Sequence, residues 1–379
     1  MHGKSYDIIG LSVLEAIRED DPLKDAVWLK KRFGPKVVVG GKWTQTITDE
    51  EKAFLERNGI DICTEEGETY FEDHDIDIHN YPSWSRIDFE TLGETHIEIM
   101  STRGCPHHCY FCHNTEKHLS FFSASRTADN IELLFNLGKD QLFIVDDIFT
   151  LKPSHMEELY VELKRRNIQI ENRNSFFTHV KHINDETLYW MKKYKPLEIQ
   201  IGIQSGDDRM LKAMGNLFKS EDALRKIELL NNSGLTVRPL FMIGFPGEDT
   251  ESLKNTLDFI RRLRPLGIFY RETHTLGHKG LWVGYYQAVR GTKGYQMAIE
   301  RDPKLQRGKR NIEITYVDPN LSKKILFAYR SLMMKGDSEN NFVSRCKDTF
   351  IQRSPHWLTN LMLSLKIDLD RIFYGKNIF

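Results

Sequence analysis

Residues 103–112 read RGCPHHCYFC. Cys105, Cys109 and Cys112 stand there at C-x3-C-x2-C spacing, just beyond the apolar run HIEIMS (96–101), so one short loop carries three thiols. The chain has five cysteines, the others being Cys63 and Cys346. An odd number with three crowded together is a poor disulfide framework and suits a metal or cluster in a reducing compartment. Three thiolates suit an iron–sulfur cluster. A [4Fe–4S] cluster held wholly by cysteine uses four, so three leave one iron open to a further ligand. The alternative is a Cys3His zinc site with His107, His108 or His113 as fourth ligand, which makes a non-catalytic zinc protein the reading from another class.

Outward from this loop, apolar runs alternate with amphipathic stretches. HIEIMS is followed by candidate strands QLFIVDD (141–147), SFFTHV (175–180), LEIQIGIQ (197–204), TVRPLFMIGF (236–245) and IFYRETHTL (268–276). Between them ADNIELLFNLG, PSHMEELYVELKRRN, DETLYWMKKY, DDRMLKAM, SEDALRKIELLNNSG and DTESLKNTLDFIRRLRPLG read as helices. Strands separated by helices predict a parallel sheet, and six such units predict a partial (β/α)6 barrel. Loops after barrel strands carry chemistry, and the cysteine loop follows the first strand.

Upstream, YDIIGLSVL (6–14), DPLKDAVWLKKRF (21–33), KVVVGG (36–41), TDEEKAFLERN (48–58) and IDICTEEGE (60–68, holding Cys63 in a core strand) read as strand, helix, strand, helix, strand. That order predicts a small Rossmann-like parallel α/β unit. The expected organisation is a front unit and connector over 1–94, a barrel core over 95–276, and a mixed, largely helical substrate-binding region over 277–379.

The 379 residues are 40% hydrophobic and 28% charged, a globular composition. Lys+Arg 53 against Asp+Glu 54 gives a net charge of −1 and no global basic field for nucleic acid. No apolar run reaches the roughly 18–20 residues that span a bilayer, and the start MHGKSYD is no signal peptide. A cytoplasmic protein without a membrane partner is expected.

The cysteine motif, IVDDIFT, GIQSGDDRMLKAM and LFMIGFPGED together resemble the radical S-adenosylmethionine (SAM) superfamily over about residues 95–276. Within it the chain is most similar to the branch of cobalamin-dependent radical enzymes and methylthiotransferases. The resemblance implies that the methionyl amine and carboxylate of SAM chelate the open iron. Reduction then splits the sulfonium into a 5′-deoxyadenosyl radical that takes a hydrogen atom from substrate, with flavodoxin or ferredoxin as electron donor. Cys105, Cys109 and Cys112 would be the cluster ligands. Phe111 would cover the adenine through its backbone, and Asp146 and Asp147 sit where relatives contact the methionyl amine. Thr178 and His179 occupy the place of an arginine that relatives use for the ribose or carboxylate. Gln204 replaces the acidic residue of the relatives' GIESG and can hydrogen-bond without charge. Ile243, Gly244, Phe245 and Pro246 resemble the adenine-contacting strand end, while Glu248 reads as a helix cap.

The front unit resembles the second half of the cobalamin-binding domain that precedes the barrel in relatives. The D-x-H-x-x-G loop that gives cobalt a histidine is missing, because His2 is followed by Gly3 and Lys4. Either the unit is a truncated remnant that packs on the barrel, or the sequence is a fragment. The remnant is favoured, and it argues against bound cobalamin. Cobalamin held without a protein ligand keeps a cobalamin-assisted methyltransferase as the alternative. Cys346, in VSRCKDTF, fits the hydrogen-atom donor of radical peptide epimerases, which resemble this layout. The basic, aromatic tail (Trp282, Tyr285, Tyr286, Arg290) suits a peptide or small-molecule substrate. Transfer RNA is disfavoured, because neither an RNA-binding module nor a second cysteine triplet is visible. The expected function is hydrogen abstraction from a ribosomally made peptide, with Cα epimerisation as its outcome.

Overall fold

The computed structural model describes residues 7–13, 22–34, 36–64, 70, 96–112, 119–268, 280–307 and 316–334. In the front unit, β1 (Ile8–Ser12), β2 (Lys36–Gly40) and β3 (Ile60–Ile62) form a parallel sheet in the order β1-β2-β3. Helices Pro22–Phe33 and Asp49–Arg57 connect them. Thr48 begins the second helix with a reciprocal cap. Its hydroxyl accepts the Glu51 N–H at 3.2 Å while Glu51 Oε2 accepts the Thr48 N–H at 2.9 Å. Val37, Val39, Trp43 and Leu55 make a small core of their own, and Cys63 is buried beside it.

The larger sheet contains β4 (His96–Ile99), then, beyond the hairpin of β5 (Thr102–Arg103) and β6 (Ser120–Phe121), β7 (Gln141–Ile144), β8 (Asn174–Thr178), β9 (Glu198–Gln204), β10 (Val237–Ile243) and β11 (Trp282–Tyr285). All its neighbours are parallel, in the order β4-β7-β8-β9-β10-β11. Winding in one direction puts the connecting helices on one face, which is the construction of a partial barrel. Alternation along each strand divides the side chains. Ile144, Phe176, Ile199, Ile201, Ile203, Phe241 and Ile243 pack under the helices, against residues such as Ile131, Leu159, Met191, Ile227 and Leu257. Phe143, Phe177, Gln200, Arg238 and Met242 alternate with them and take the other, concave face.

The sheet continues past residue 276, where the sequence reading ended the barrel core. The strand expected at 268–276 lies, beyond Ile268, outside the described residues. The sixth strand described is β11, whose Trp282–Tyr285 pairs with Leu240–Ile243 of β10. A four-residue strand set among glycines in GHKGLWVGYY has too little alternation to be read as one. The C-terminal region then closes back on the sheet. Leu326, Tyr329 and Met333 of helix Lys323–Met334 enter the main core, and Arg330 Nε donates to the Val283 carbonyl at 2.8 Å.

Gly206, the second glycine of GIQSG, sets the approach of β9 to helix Thr250–Leu263. A Cβ there would stand 2.5 Å from Phe259 Cβ and 2.8 Å from Thr256 Cα. One is backbone and the other a Cβ fixed to it, so neither can swing away. Gly206→Ala is expected to lower unfolding stability by about 1–3 kcal/mol in urea titrations. A loss under about 0.5 kcal/mol, the size of an ordinary surface substitution, would show that the helix can retreat freely.

Candidate functional site

The cysteine loop leaves β4 through Ser101 and Thr102, and Asp146 holds both. Its fully buried carboxylate accepts the Ser101 N–H and hydroxyl, each at 2.6 Å, and the Thr102 N–H at 2.9 Å. Burial pushes the Asp146 carboxyl up, and the bonds from Ser101 and Thr102 pull it back down. His155 Nε2 adds a contact of 3.1 Å to the Ser101 hydroxyl. Asp146 therefore faces the loop's root, where the resemblance had it facing a methionyl amine. Asp147, its neighbour beyond the end of β7, is exposed.

The three thiols sit between half-buried and exposed: Cys105 and Cys109 are partly covered and Cys112 is open. Burial pushes the Cys109 thiol up to about 12, with Cys112 and Cys105 adding to the rise. Cys112 N–H turns back to the Cys109 carbonyl at 3.1 Å. The Cys109 thiol lies 3.5 Å from Asn216 Oδ1, while the buried Asn216 Nδ2 has no partner among the described residues. Once Cys109 is a thiolate, an amide beside it becomes its natural donor. The donor set thus fits an iron–sulfur cluster on Cys105, Cys109 and Cys112.

An aromatic wedge supports the loop from below. Tyr110 and Phe111 pack against Met210, Met214, Phe245, Tyr286 and Tyr316. The backbone of Tyr110 is tied on both sides, its N–H to the Met214 carbonyl at 2.9 Å and its carbonyl to the Gly294 N–H at 2.6 Å. Gly215, at φ +79°, leaves no room for a side chain, since a Cβ would stand 2.8 Å from Tyr110 Cδ1 and 2.9 Å from the His108 carbonyl. Lys293 Nζ stands 3.7 Å from the centre of the Tyr110 ring.

The remaining expected ligand residues divide. Gln204 has a left-handed backbone, φ 69°, beside a register shift between β9 and β10. Its amide folds back over Gly202, where a Cβ would lie 2.6 Å from Gln204 Nε2, and so joins the concave face. Thr178 pairs in register with Ile201 and points to the helix layer. Its buried hydroxyl meets the Thr150 hydroxyl at 2.6 Å, so it is turned away from the ligand role expected for it. Ile243 and Phe245 are fully buried, in the main core and the aromatic wedge respectively. Gly244, at φ +91°, and the buried Pro246 make the turn between them and the next helix. Glu248 does not cap that helix; Asp249 does, through Ser252. Glu248 instead accepts the Gly244 N–H and is buried, with Oε1 unpartnered among the described residues. Burial pushes its carboxyl up to about 8.

His179 meets two histidines that the sequence reading did not place with it. Its ring stacks on His107 at 4.0 Å, and His107 Nε2 lies 3.0 Å from His182 Nε2. Burial pushes His179 down to about 3, with His107, His182 and Lys181 adding to the shift. The spacing His179-x-x-His182 was the available signal, hidden in a short turn. Asn216 and Ser101 had none. Cys346 and His113 lie outside the described residues.

Residues 99–260 match the family model described as the radical SAM superfamily. An uncharacterised methyltransferase of Pyrococcus horikoshii is 25% identical over 50% of this chain and 42% of its own length. The ribosomal protein uS12 methylthiotransferase RimO of Thermosipho africanus is 30% identical over 44% of this chain and 41% of its own. The chain thus spans about two fifths of the length of these curated relatives. Among solved structures, the methyltransferase TsrM of Kitasatospora setae with tryptophan and a SAM analogue bound covers 89% of this chain and 80% of its own, with TM-score 0.62 and 15% identity. The cobalamin-dependent radical enzyme OxsB covers 94% and 62%, with TM-score 0.60 and 17% identity. These likenesses concern the fold. The expectation against cobalamin is not supported, because TsrM with cobalamin and a [4Fe-4S] cluster bound has this fold at TM-score 0.59, 16% identity and coverage of 90% and 76%.

Asp146→Ala would strand the buried Ser101 and Thr102 N–H groups. It is expected to cost about 2–4 kcal/mol and to reduce the iron retained after anaerobic reconstitution, with Asp146→Asn milder because it keeps an acceptor. Unchanged stability and iron content in Asp146→Ala would show that the loop is held elsewhere. Glu248 gives a pH test. Its folded value of about 8 exceeds the ordinary 4.5, so its contribution to stability is complete below 4.5 and is lost as pH rises through 8. Glu248→Gln should flatten the decline in stability over that interval; an undiminished slope in urea titrations would contradict the assignment.

Proposed function

We propose, from the premise that residues 99–260 form a radical SAM domain, that this chain is a radical SAM enzyme acting on a peptide. The observation that carries the reading is the grouping of Cys105, Cys109 and Cys112 in one loop, at the end of a barrel strand and clamped at its root by Asp146. When bound, a [4Fe–4S] cluster and SAM supply reductive cleavage to a 5′-deoxyadenosyl radical that removes hydrogen from an unactivated C–H bond. The chain's own residues bind, orient and shield. Asp147 offers a carboxylate to the methionyl ammonium, and the Gln204 amide offers neutral hydrogen bonds from the concave face. Phe143, Phe177 and Met242 keep that face poor in water, and Phe111 walls the adenine side with Phe245 packed behind it.

For the outcome we favour Cα epimerisation. Abstraction breaks Cα–H, and the Cys346 S–H returns a hydrogen atom to the opposite face. The thiyl left behind regains its hydrogen as one electron and one proton, the electron coming from a flavodoxin- or ferredoxin-type donor. Thiols that serve a cluster suit a reducing cytoplasm. Cobalamin-assisted methylation is the second reading, favoured by the parallel three-stranded front unit and by the folds of TsrM and OxsB.

Dithionite-reduced, anaerobically reconstituted protein with SAM should form 5′-deoxyadenosine, detected by mass spectrometry, and Cys109→Ala should reduce it to background. A colourless protein that binds zinc but no iron, and yields none, would end the enzyme reading. With a short precursor peptide encoded beside the gene, turnover in deuterated water should label Cα, whereas an added methyl mass would select the second reading.

A further inference from the structure

We propose that His107, His179 and His182 form a second metal site, for a divalent transition-metal ion that prefers imidazole nitrogen, at the rim of the barrel beside the cysteine loop. One nitrogen from each ring lies within 4.8 Å of those of the other two. The three come from two separate pieces of backbone. His107 lies within the cysteine loop, while His179 precedes and His182 ends the single turn Val180–His182 that follows β8. The ring centres are 4.0, 5.1 and 6.0 Å apart. A triangle of those sides has a centre about 3 Å from each corner. That is roughly where an ion sits from an imidazole's centre when it binds one ring nitrogen at about 2.0–2.1 Å.

The surroundings suit three neutral ligands. All three rings are partly buried, and Phe218 closes one side with its ring 5.5 Å from His179. Lys181, whose charge adds to the lowering of all three histidines, is exposed, so solvent screens its repulsion of an ion. Two local contacts give way on binding. The proton shared between His107 Nε2 and His182 Nε2 moves to an outer Nδ1 with no change in charge, and the Lys181 N–H contact to His179 Nδ1, long at 3.2 Å, is replaced by the ion. The stacked rings of His107 and His179, 23° apart in plane, must also turn about χ2, a soft torsion for histidine. Three imidazoles leave a tetrahedral ion one open position, the arrangement that lets zinc-class ions hold and polarise an oxygen or nitrogen group of a substrate. The site needs neither the cluster nor SAM, so it goes beyond the reading above.

Protein carrying its reconstituted cluster is equilibrated with zinc sulfate, passed through a desalting column and assayed for iron and zinc. About one zinc per chain is expected above the cluster iron, and zinc-edge X-ray absorption should give nitrogen or oxygen neighbours at about 2.0–2.1 Å. His182→Ala and the bulkier, still polar His182→Gln should each weaken zinc retention by more than about 10-fold while iron content and cluster absorption stay at wild-type levels. Zinc lost on the column, a sulfur shell at about 2.3 Å, or equal retention by wild type and both variants would overturn the proposal. Loss of iron alone would count against the cluster reading and leave this one standing.

Discussion

The carboxylate of Asp146 is the contact on which the site depends. A buried carboxylate is costly unless its oxygens are engaged, and here two backbone N–H groups and a hydroxyl from consecutive residues engage them. The bond spans 45 residues and joins the end of β7 to the exit of β4. It therefore sets where the cysteine loop starts, independently of whatever the thiols later hold. Thr178 and Thr150 repeat the device one strand further along, with a buried hydroxyl pair tying the end of β8 to the turn after β7. The mouth of the barrel is stitched from beneath by small polar groups, which leaves its upper surface to ligands.

Beneath the loop the constraint is steric. Tyr110 and Phe111 could serve any packed wedge, but Gly215 and Gly294 cannot be exchanged for residues with side chains. Cβ atoms at those positions would stand 2.9 Å from the carbonyl oxygens of His108 and Tyr110 respectively. The short helix Asp208–Ala213 and the start of helix Lys293–Arg301 thus press backbone to backbone on the cysteine loop. Helix Lys293–Arg301 belongs to the region after β11, so the C-terminal part takes a share in positioning the thiols.

Much of this was legible in the sequence, for physical reasons. In LEIQIGIQ the period-2 pattern separates Ile199, Ile201 and Ile203 from Gln200 and Gly202, and the strand buries the isoleucines under helices. The thiol spacing in one loop is local, and so is a capping box such as that of Thr48 and Glu51. Contacts made across long separations leave no such trace. Asp146 reads from the sequence as one of two equivalent carboxylates; only the fold shows that one is spent on Ser101 and Thr102 while Asp147 stays exposed. Thr178 fails in the same way, since a strand-end threonine can face either layer and its register with Ile201 decides. β11 was missed because four residues between glycines carry no period.

Gln204 shows how a locally unfavourable choice serves the mouth of the barrel. A left-handed backbone at a residue other than glycine costs of order 1–2 kcal/mol, and it occurs here at the last residue of β9, where the pairing with β10 slips by one. Without the slip, Gln204 would simply continue the even-numbered set at the strand's tip. With it, the amide turns down over Gly202, and only glycine leaves it space. An uncharged donor and acceptor is thereby held over the concave face. A glutamate in the same half-buried pose would carry a desolvation cost that the neutral amide avoids. The neutral side chain and the strained backbone are thus two parts of one arrangement, in which a polar group is held in place by conformation instead of by charge.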